Sequence, residues 1–129
     1  MLMFHTNRVA TEYLVAGNPE APMMVLRELA RSSEPAVRAR VAENGAAPLS
    51  VLAQLLRDAN KEVRRSLANN PALPLSFIVE LARDADPDVR FELAENRHMP
   101  RNVLELLRFD ENPYVAHRAQ RTLSGVASH

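Results

Sequence analysis

Residues 84–96, with the sequence DADPDVRFELAEN, form a motif that recurs in varied form every 26 residues along the chain. Four residue types keep this step without an insertion. They are the arginines Arg38, Arg64 and Arg90, the asparagines Asn18, Asn44, Asn70 and Asn96, the prolines Pro22, Pro48, Pro74 and Pro100, and the leucines Leu29, Leu55, Leu81 and Leu107. A fixed period of this length indicates stacked supersecondary units, so the motif sets the fold of the whole chain.

The motif itself predicts a short helix. Asp86 is a suitable N-cap, and Pro87 suits the first turn, where its missing N–H would be unpaired in any case. Asn60 and Asn112 offer the same cap in the neighbouring repeats. Asn96 is expected to end the helix in the left-handed conformation, which Asn tolerates. The apolar residues between these ends share one face. They are Val89, Leu93 and Ala94.

A second helix is predicted in each repeat, and it begins near Pro74 or Pro100. Two helices in one repeat leave each about nine or ten residues, which is short for an isolated helix. Some are therefore expected to be single 3₁₀ turns. No stretch alternates between apolar and polar residues with period two, so no strand is predicted.

Neither helix can bury its apolar face alone, so the repeats are predicted to stack into an extended all-α superhelix. The full repeats are residues 35–60, 61–86 and 87–112. They lie within a repeat region of residues 9–123, in a single domain of residues 1–129. Residues 1–8 are expected to cover the open end of the first repeat. Residues 113–123 are interpreted as a terminal cap, followed by a fraying tail of residues 124–129.

The composition excludes several classes of protein. Acidic and basic residues balance at sixteen each, whereas nucleic-acid-binding domains are typically basic. The absence of cysteine excludes disulfides, thiol catalysis and cysteine-ligated metal centres. The N-terminus lacks the apolar region of a signal peptide, and no run approaches the ~20 apolar residues of a membrane helix. A cytoplasmic protein that contacts no membrane is therefore expected.

The repeat motif resembles that of the leucine-rich repeat variant family. It reads Asp-x-x-x-x-Val-Arg-x-x-Leu-Ala-x-Asn, followed by Pro-x-x-Val-Leu-x-x-Leu, and the resemblance covers residues 9–123. It implies a right-handed α-solenoid of alternating α- and 3₁₀-helices, related in outline to HEAT and armadillo repeats. The founding type of that family carries a cysteine-ligated iron–sulfur cluster. Because this chain has no cysteine, no cofactor is expected.

The arginine series has two readings. Asp58 precedes Arg64 by six residues, and Asp84 precedes Arg90 by six. In HEAT-like repeats, which this spacing resembles, such side chains bond between neighbouring units, and a guanidinium pairs well with a carboxylate. Ser32 replaces the acid before Arg38, which predicts a weaker contact there. The alternative is a basic stripe along a phosphate backbone. Likewise, the asparagine series reads as turn residues or as base-recognising amides.

Comparison of the repeats marks a candidate binding strip on the first helix. Three neighbouring columns vary between repeats, whereas the apolar positions stay fixed, as expected of a binding surface on a repeat frame. The resemblance to HEAT repeats implies that this helix lines a concave surface. Phe91 is a large apolar residue at a position predicted to be exposed, and Tyr114 lies near the same edge. The candidate partner-binding residues are Arg40, Glu43, Arg65, Asn69, Phe91, Glu92, Glu95, Tyr114, His117, Arg118 and Arg121.

The first functional interpretation is a non-catalytic scaffold that binds an unidentified protein partner. No histidine pair has the i, i+4 spacing of a helical metal site, and no glycine-rich phosphate loop occurs, so no catalytic, cofactor or metal residue is predicted. The second is a nucleic-acid-binding protein that holds phosphates with Arg40, Arg65, Arg118 and Arg121. Glu43, Glu92 and Glu95 interrupt that basic track. The third is a HEAT-like DNA-repair enzyme with Phe91 and Glu92 at its cleft. The fourth is an assembly role in which the open ends stack on another chain.

Overall fold

The computed structural model describes residues 2–125, and the side chains from residue 7 onward. Over this range the chain is helical and contains no strand, which confirms the all-α prediction. The helices are α1 (Leu2–Ala16), α2 (Met23–Leu29), α3 (Pro35–Ala42), α4 (Leu49–Leu55), α5 (Lys61–Leu67), α6 (Leu75–Leu81), α7 (Pro87–Glu95), α8 (Arg101–Leu107) and α9 (Pro113–Leu123). The predicted cover by the apolar side chains of residues 1–4 falls outside the described residues, as does most of the predicted tail, residues 126–129. The backbone of α1 continues through residue 8 without a break.

The helices begin where the capping residues predict. The side-chain oxygens of Asn60, Asp86 and Asn112 accept hydrogen bonds at 2.8–2.9 Å from the backbone N–H two residues on. These bonds satisfy donors that the first helical turn leaves unpaired, and they confirm the three predicted N-caps. The second helix of each repeat starts directly after a proline with φ between −55° and −63°. The prolines are Pro22, Pro48, Pro74 and Pro100.

Two local predictions differ from the structure. The expected separate 3₁₀-helices do not occur within residues 2–125, where tighter i→i+3 bonds are confined to turns and helix ends, such as that from Arg57 N–H to Gln54 O at 3.1 Å. The prediction of a left-handed Asn96 is wrong, because its φ of −84° and ψ of 107° are extended. Its side chain closes the turn instead, since Oδ1 accepts a hydrogen bond from the backbone N–H of His98 at 2.9 Å.

The chain forms two compact units, Met1–Leu73 and Pro74–His129. In the first unit, α3 packs beside both α1 and α5, and in the second unit α9 packs against α7 and α8. The predicted apolar face of α7 is confirmed, because Val89, Leu93 and Ala94 are fully buried, and Leu81 on α6 is buried as well. No helix in residues 2–125 is both long and apolar enough to cross a membrane.

Candidate functional site

Two arginines of the 26-residue series make the same pair of contacts. Arg38 donates from Nε and Nη2 to the Asp58 carboxylate at 2.8 and 3.1 Å, and Arg90 donates in the same way to Asp110 at 2.8 and 3.2 Å. In both arginines the remaining nitrogen, Nη1, donates at 2.7 Å to the main-chain carbonyl of the residue six positions earlier. For Arg38 that residue is Ser32. Each guanidinium thus holds a carboxylate with a two-pronged contact and also fixes a turn. We call the arginine–aspartate pair a rung.

The rungs correct the pairing that the sequence predicted. The Asp58 carboxylate binds Arg38, twenty residues earlier, whereas Arg64 donates from Nη1 to the main-chain oxygen of Asp58 at 2.7 Å. Both partners of the Arg38 rung lie in the repeat of residues 35–60, so this side-chain pair forms within one repeat. The bond to the main-chain carbonyl joins two neighbouring repeats. Ser32 does not weaken the contact of Arg38, because that contact uses the Ser32 backbone.

The electrostatics of the rungs mark them as structural. Burial alone would raise the pKa of the Asp58 carboxyl, but the hydrogen bonds from Arg38 and from the Asn60 N–H, together with the charges of Arg38 and Arg64, hold it below its ordinary value. The hydrogen bond to the carboxylate also raises the pKa of Arg38 and of Arg90. Both guanidinium groups are therefore charged and occupied, which leaves them poorly placed to follow a phosphate backbone.

The asparagine series ties neighbouring repeats together. Asn44 and Asn70 are only 5% and 6% exposed. Asn44 donates from Nδ2 to the carbonyls of Ala16 and Asn18 at 2.9 and 3.0 Å, while its Oδ1 accepts from the Ala46 N–H at 2.9 Å. Asn70 makes the equivalent bonds. The turn reading is confirmed, and the base-recognising reading is wrong for these two residues because their amides are buried and satisfied.

Thr122 takes the next position of this series, 26 residues after Asn96. Its Oγ1 donates to the carbonyl of Ala94 at 2.6 Å, across the same 28-residue separation that joins Asn44 to Ala16. The hydroxyl has one hydrogen, so it can supply only one of the two bonds that the Asn44 amide makes, and the Arg118 carbonyl lies within reach of it as well, at 3.0 Å. Counting 26 residues on from Asn96 would have found this position.

The candidate strip in the first unit is tied down by its own neighbours. Arg40 pairs with Glu43 at 3.2 Å and lies 5.3 Å from the centre of the Tyr13 ring. It also crosses Gly17 so closely that a Cβ there would have to displace the guanidinium. Arg65 pairs with Glu62 at 2.9 Å. Among the four candidate partner-binding residues of this unit, Arg40, Glu43 and Arg65 are half-buried and Asn69 is exposed.

The candidates in the second unit are more mixed. The prediction that Phe91 is exposed is wrong, because its side chain is half-buried. The helices that carry the strip pack side by side, which leaves less open surface than an isolated helix has. Glu92, Arg118 and Arg121 are also half-buried, whereas Glu95, His117 and Tyr114 are exposed.

The most exposed large apolar side chains of the second unit flank the turn between α8 and α9. Leu106, Phe109 and Tyr114 are 50%, 79% and 78% exposed. We call these three residues the α8–α9 corner. The equivalent positions of the other three repeats are mostly charged. They are Glu28, Gln54 and Glu80 for Leu106, Arg31, Arg57 and Arg83 for Phe109, and Ala36, Glu62 and Asp88 for Tyr114. Only Tyr114 was identified from the sequence.

In the part of the chain that the structure describes, no cluster of three or more histidine or carboxylate side chains could hold a metal ion. No family model, no curated protein and no solved structure matches the chain. The resemblance to the leucine-rich repeat variant family therefore stays a prediction that the 26-residue motif carries.

Proposed function

We propose that this chain is a non-catalytic helical-repeat scaffold that binds a partner protein through the α8–α9 corner. The proposal includes the architecture that the repeats predict, a right-handed α-solenoid of the leucine-rich repeat variant type, and a cytoplasmic location. The observation that carries it is the joint replacement of mostly charged residues by Leu106, Phe109 and Tyr114 at three exposed positions. One apolar replacement on a surface is ordinary, whereas three around one turn favour a contact surface.

The size of the corner indicates the kind of occupant. Phe109 and Tyr114, each almost four-fifths exposed, and Leu106, half exposed, offer roughly 300–500 Å² of apolar surface. A stable dimer of standard size buries about 800 Å² per partner. The corner alone is thus too small for a stable dimer of this chain and fits a short apolar segment of another protein. Aromatic side chains of this kind are also typical binding anchors.

The polar surroundings give the corner a defined shape. Arg108 lies 5.2 Å from the centre of the Phe109 ring and is held by Glu105 at 3.3 Å. The Arg90–Asp110 rung fixes the residue that follows Phe109. Contacts that are already in place before binding reduce the ordering cost when a partner covers the surface.

The experiment restores the residues that the preceding repeat carries at these places. The triple variant Leu106→Glu, Phe109→Arg, Tyr114→Asp should fold normally, because all three side chains are exposed. Met24→Gln in the first unit is the matched control, since Met24 is 78% exposed and lies outside the corner. The three proteins are compared in capture from native lysate after nuclease treatment.

A protein that the wild type and Met24→Gln retain and the folded triple variant loses would support the proposal. Equal retention by all three proteins contradicts it. So does a wild type that captures nothing once nucleic acid is removed.

A further inference from the structure

A cleft of about 230 Å³ opens in the first unit, between α1 and the turn that joins α2 to α3. Its lining includes Glu12 from α1, Glu28 from α2, and Ser32 and Glu34 from the turn. Arg8 and Arg31 also line it, and both are exposed. The cleft is separate from the α8–α9 corner, which belongs to the second unit.

The cleft stands where the repeat would place a rung. Counting back 26 residues from Arg38 leads to Glu12, and counting back 26 from Asp58 leads to Ser32. Both partners of the rung are therefore replaced in this repeat, the base by an acid and the carboxylate by a hydroxyl. In the next repeat the same place is filled by the Arg38 guanidinium on Asp58.

Ser32 makes the turn hydrogen bond that the aspartate makes in the next repeat, but it cannot form the ion pair. Its Oγ accepts a hydrogen bond from the Glu34 N–H at 3.1 Å, as Asp58 Oδ1 accepts one from the Asn60 N–H at 2.9 Å. The turn is thus preserved, whereas the carboxylate that would hold an internal arginine is gone. The missing guanidinium leaves open space rather than a collapsed turn.

The charge around the opening suits a cation. The lining carries three glutamates, Glu12, Glu28 and Glu34, and two exposed arginines. The ion pair between Glu12 and Arg8 is long, at 3.8 Å, and the Arg8 side chain is 75% exposed. This pair therefore holds the Glu12 carboxylate weakly. An entering cation would compete with a loose surface contact and not with a buried one.

We propose that the cleft binds an arginine side chain of a partner protein, so that the vacant rung is completed between two chains. Glu12 takes the guanidinium, and the apolar stem of the entering arginine lies against Val9 and Leu29 in the lining. Arginine fits better than lysine because its planar fork meets a carboxylate with two parallel hydrogen bonds. The inference goes beyond the proposed function, because the cleft belongs to the first unit and the α8–α9 corner to the second.

The test uses a small probe and needs no partner protein. N-acetyl-arginine amide is titrated into the ¹⁵N-labelled full chain, and N-acetyl-citrulline amide, which is neutral and nearly the same shape, is the matched ligand. We expect saturable shifts of the backbone amides of residues 32–34 with the arginine compound, and binding at least about tenfold weaker with citrulline because the charge is lost.

Three variants assign the shifts to the cleft. Glu12→Gln should weaken binding of the arginine compound several-fold. The double variant Glu12→Arg, Ser32→Asp builds the rung internally and should abolish binding. Glu20→Gln removes an exposed carboxylate from the α1–α2 turn of the same unit and should leave binding unchanged.

Equal shifts with the arginine and citrulline compounds overturn the proposal, as does unaltered binding by Glu12→Gln or by the folded double variant. Absence of any shift overturns it too. Because the titration involves only the first unit and a small molecule, a negative result leaves the lysate comparison of the α8–α9 corner unaffected.

Discussion

Two double-mutant cycles that share Asp58 test the rung geometry directly. Asp58 accepts two hydrogen bonds from Arg38 and one from the Asn60 N–H, and the Asp58→Ala change removes all three. A hydrogen bond to a charged group contributes about 1.5–3 kcal/mol, and removing one partner of a buried ion pair costs about 3–5 kcal/mol. The Arg38 and Asp58 side chains retain 18% and 10% exposure. We therefore expect a loss of about 2–4 kcal/mol, below the fully buried case.

The coupling between residues distinguishes the observed pairing from the sequence-based one. Arg38→Ala and Asp58→Ala together should cost about 1–2 kcal/mol less than the sum of the single changes. Arg64→Ala and Asp58→Ala should show a smaller coupling, because Arg64 bonds the Asp58 main chain, which the substitution leaves in place, and acts on the carboxylate through its charge.

The assay is urea unfolding followed by far-ultraviolet circular dichroism, since the chain has no tryptophan. A larger coupling for the Arg64 cycle than for the Arg38 cycle would refute the pairing described here and restore the one predicted from sequence spacing.

Four further outcomes are expected. Because folding lowers the pKa of Asp58, its ion pair stabilises the protein above the unfolded value of 3.8, and this stabilisation is lost as pH falls through the folded value. Asp58→Asn should therefore reduce the pH dependence of the unfolding free energy between roughly pH 5 and 2. An unchanged dependence contradicts this. Leu81→Ala should cost about 2–5 kcal/mol in urea unfolding, and a loss below about 1 kcal/mol would show that Leu81 is not a core residue. Asn70→Asp should destabilise the fold by about 2–4 kcal/mol, since a carboxylate cannot donate to the carbonyls of Ala42 and Asn44; a neutral effect contradicts the buried tie. Binding to duplex DNA in a salt titration should be no tighter than about 10⁻⁴–10⁻⁶ M at physiological salt, and sub-micromolar affinity with a steep salt slope would favour a nucleic-acid-binding function.

Helix positions were predictable from local chemistry. Pro74 and Asp86 set where α6 and α7 start because a cap and a proline act within one turn of chain. The period of 26 then carried these starts to the other repeats. The buried face of Val89 and Leu93 followed from helical spacing alone.

Contacts between side chains were not predictable in the same way. Whether Asp58 turns toward Arg38 or Arg64 depends on the path of the turn between α4 and α5, which sequence separation does not encode. Asn96 illustrates the same limit, because a side-chain bond to the His98 N–H replaces the left-handed backbone that its residue type suggests. The half-burial of Phe91 depends on how closely neighbouring helices lie.

The carbonyl contact made by each arginine of the 26-residue series does not depend on the side chain of the acceptor residue. Arg38, Arg64 and Arg90 each donate to a main-chain oxygen six residues upstream, on Ser32, Asp58 and Asp84. Every residue type supplies that oxygen, so a duplicated segment finds its acceptor in whatever sequence precedes it. Tandem duplication or deletion of one segment would therefore keep this contact at the new junction without a compensating substitution at the acceptor residue. The same property makes these segments suitable building blocks for engineered arrays of chosen length.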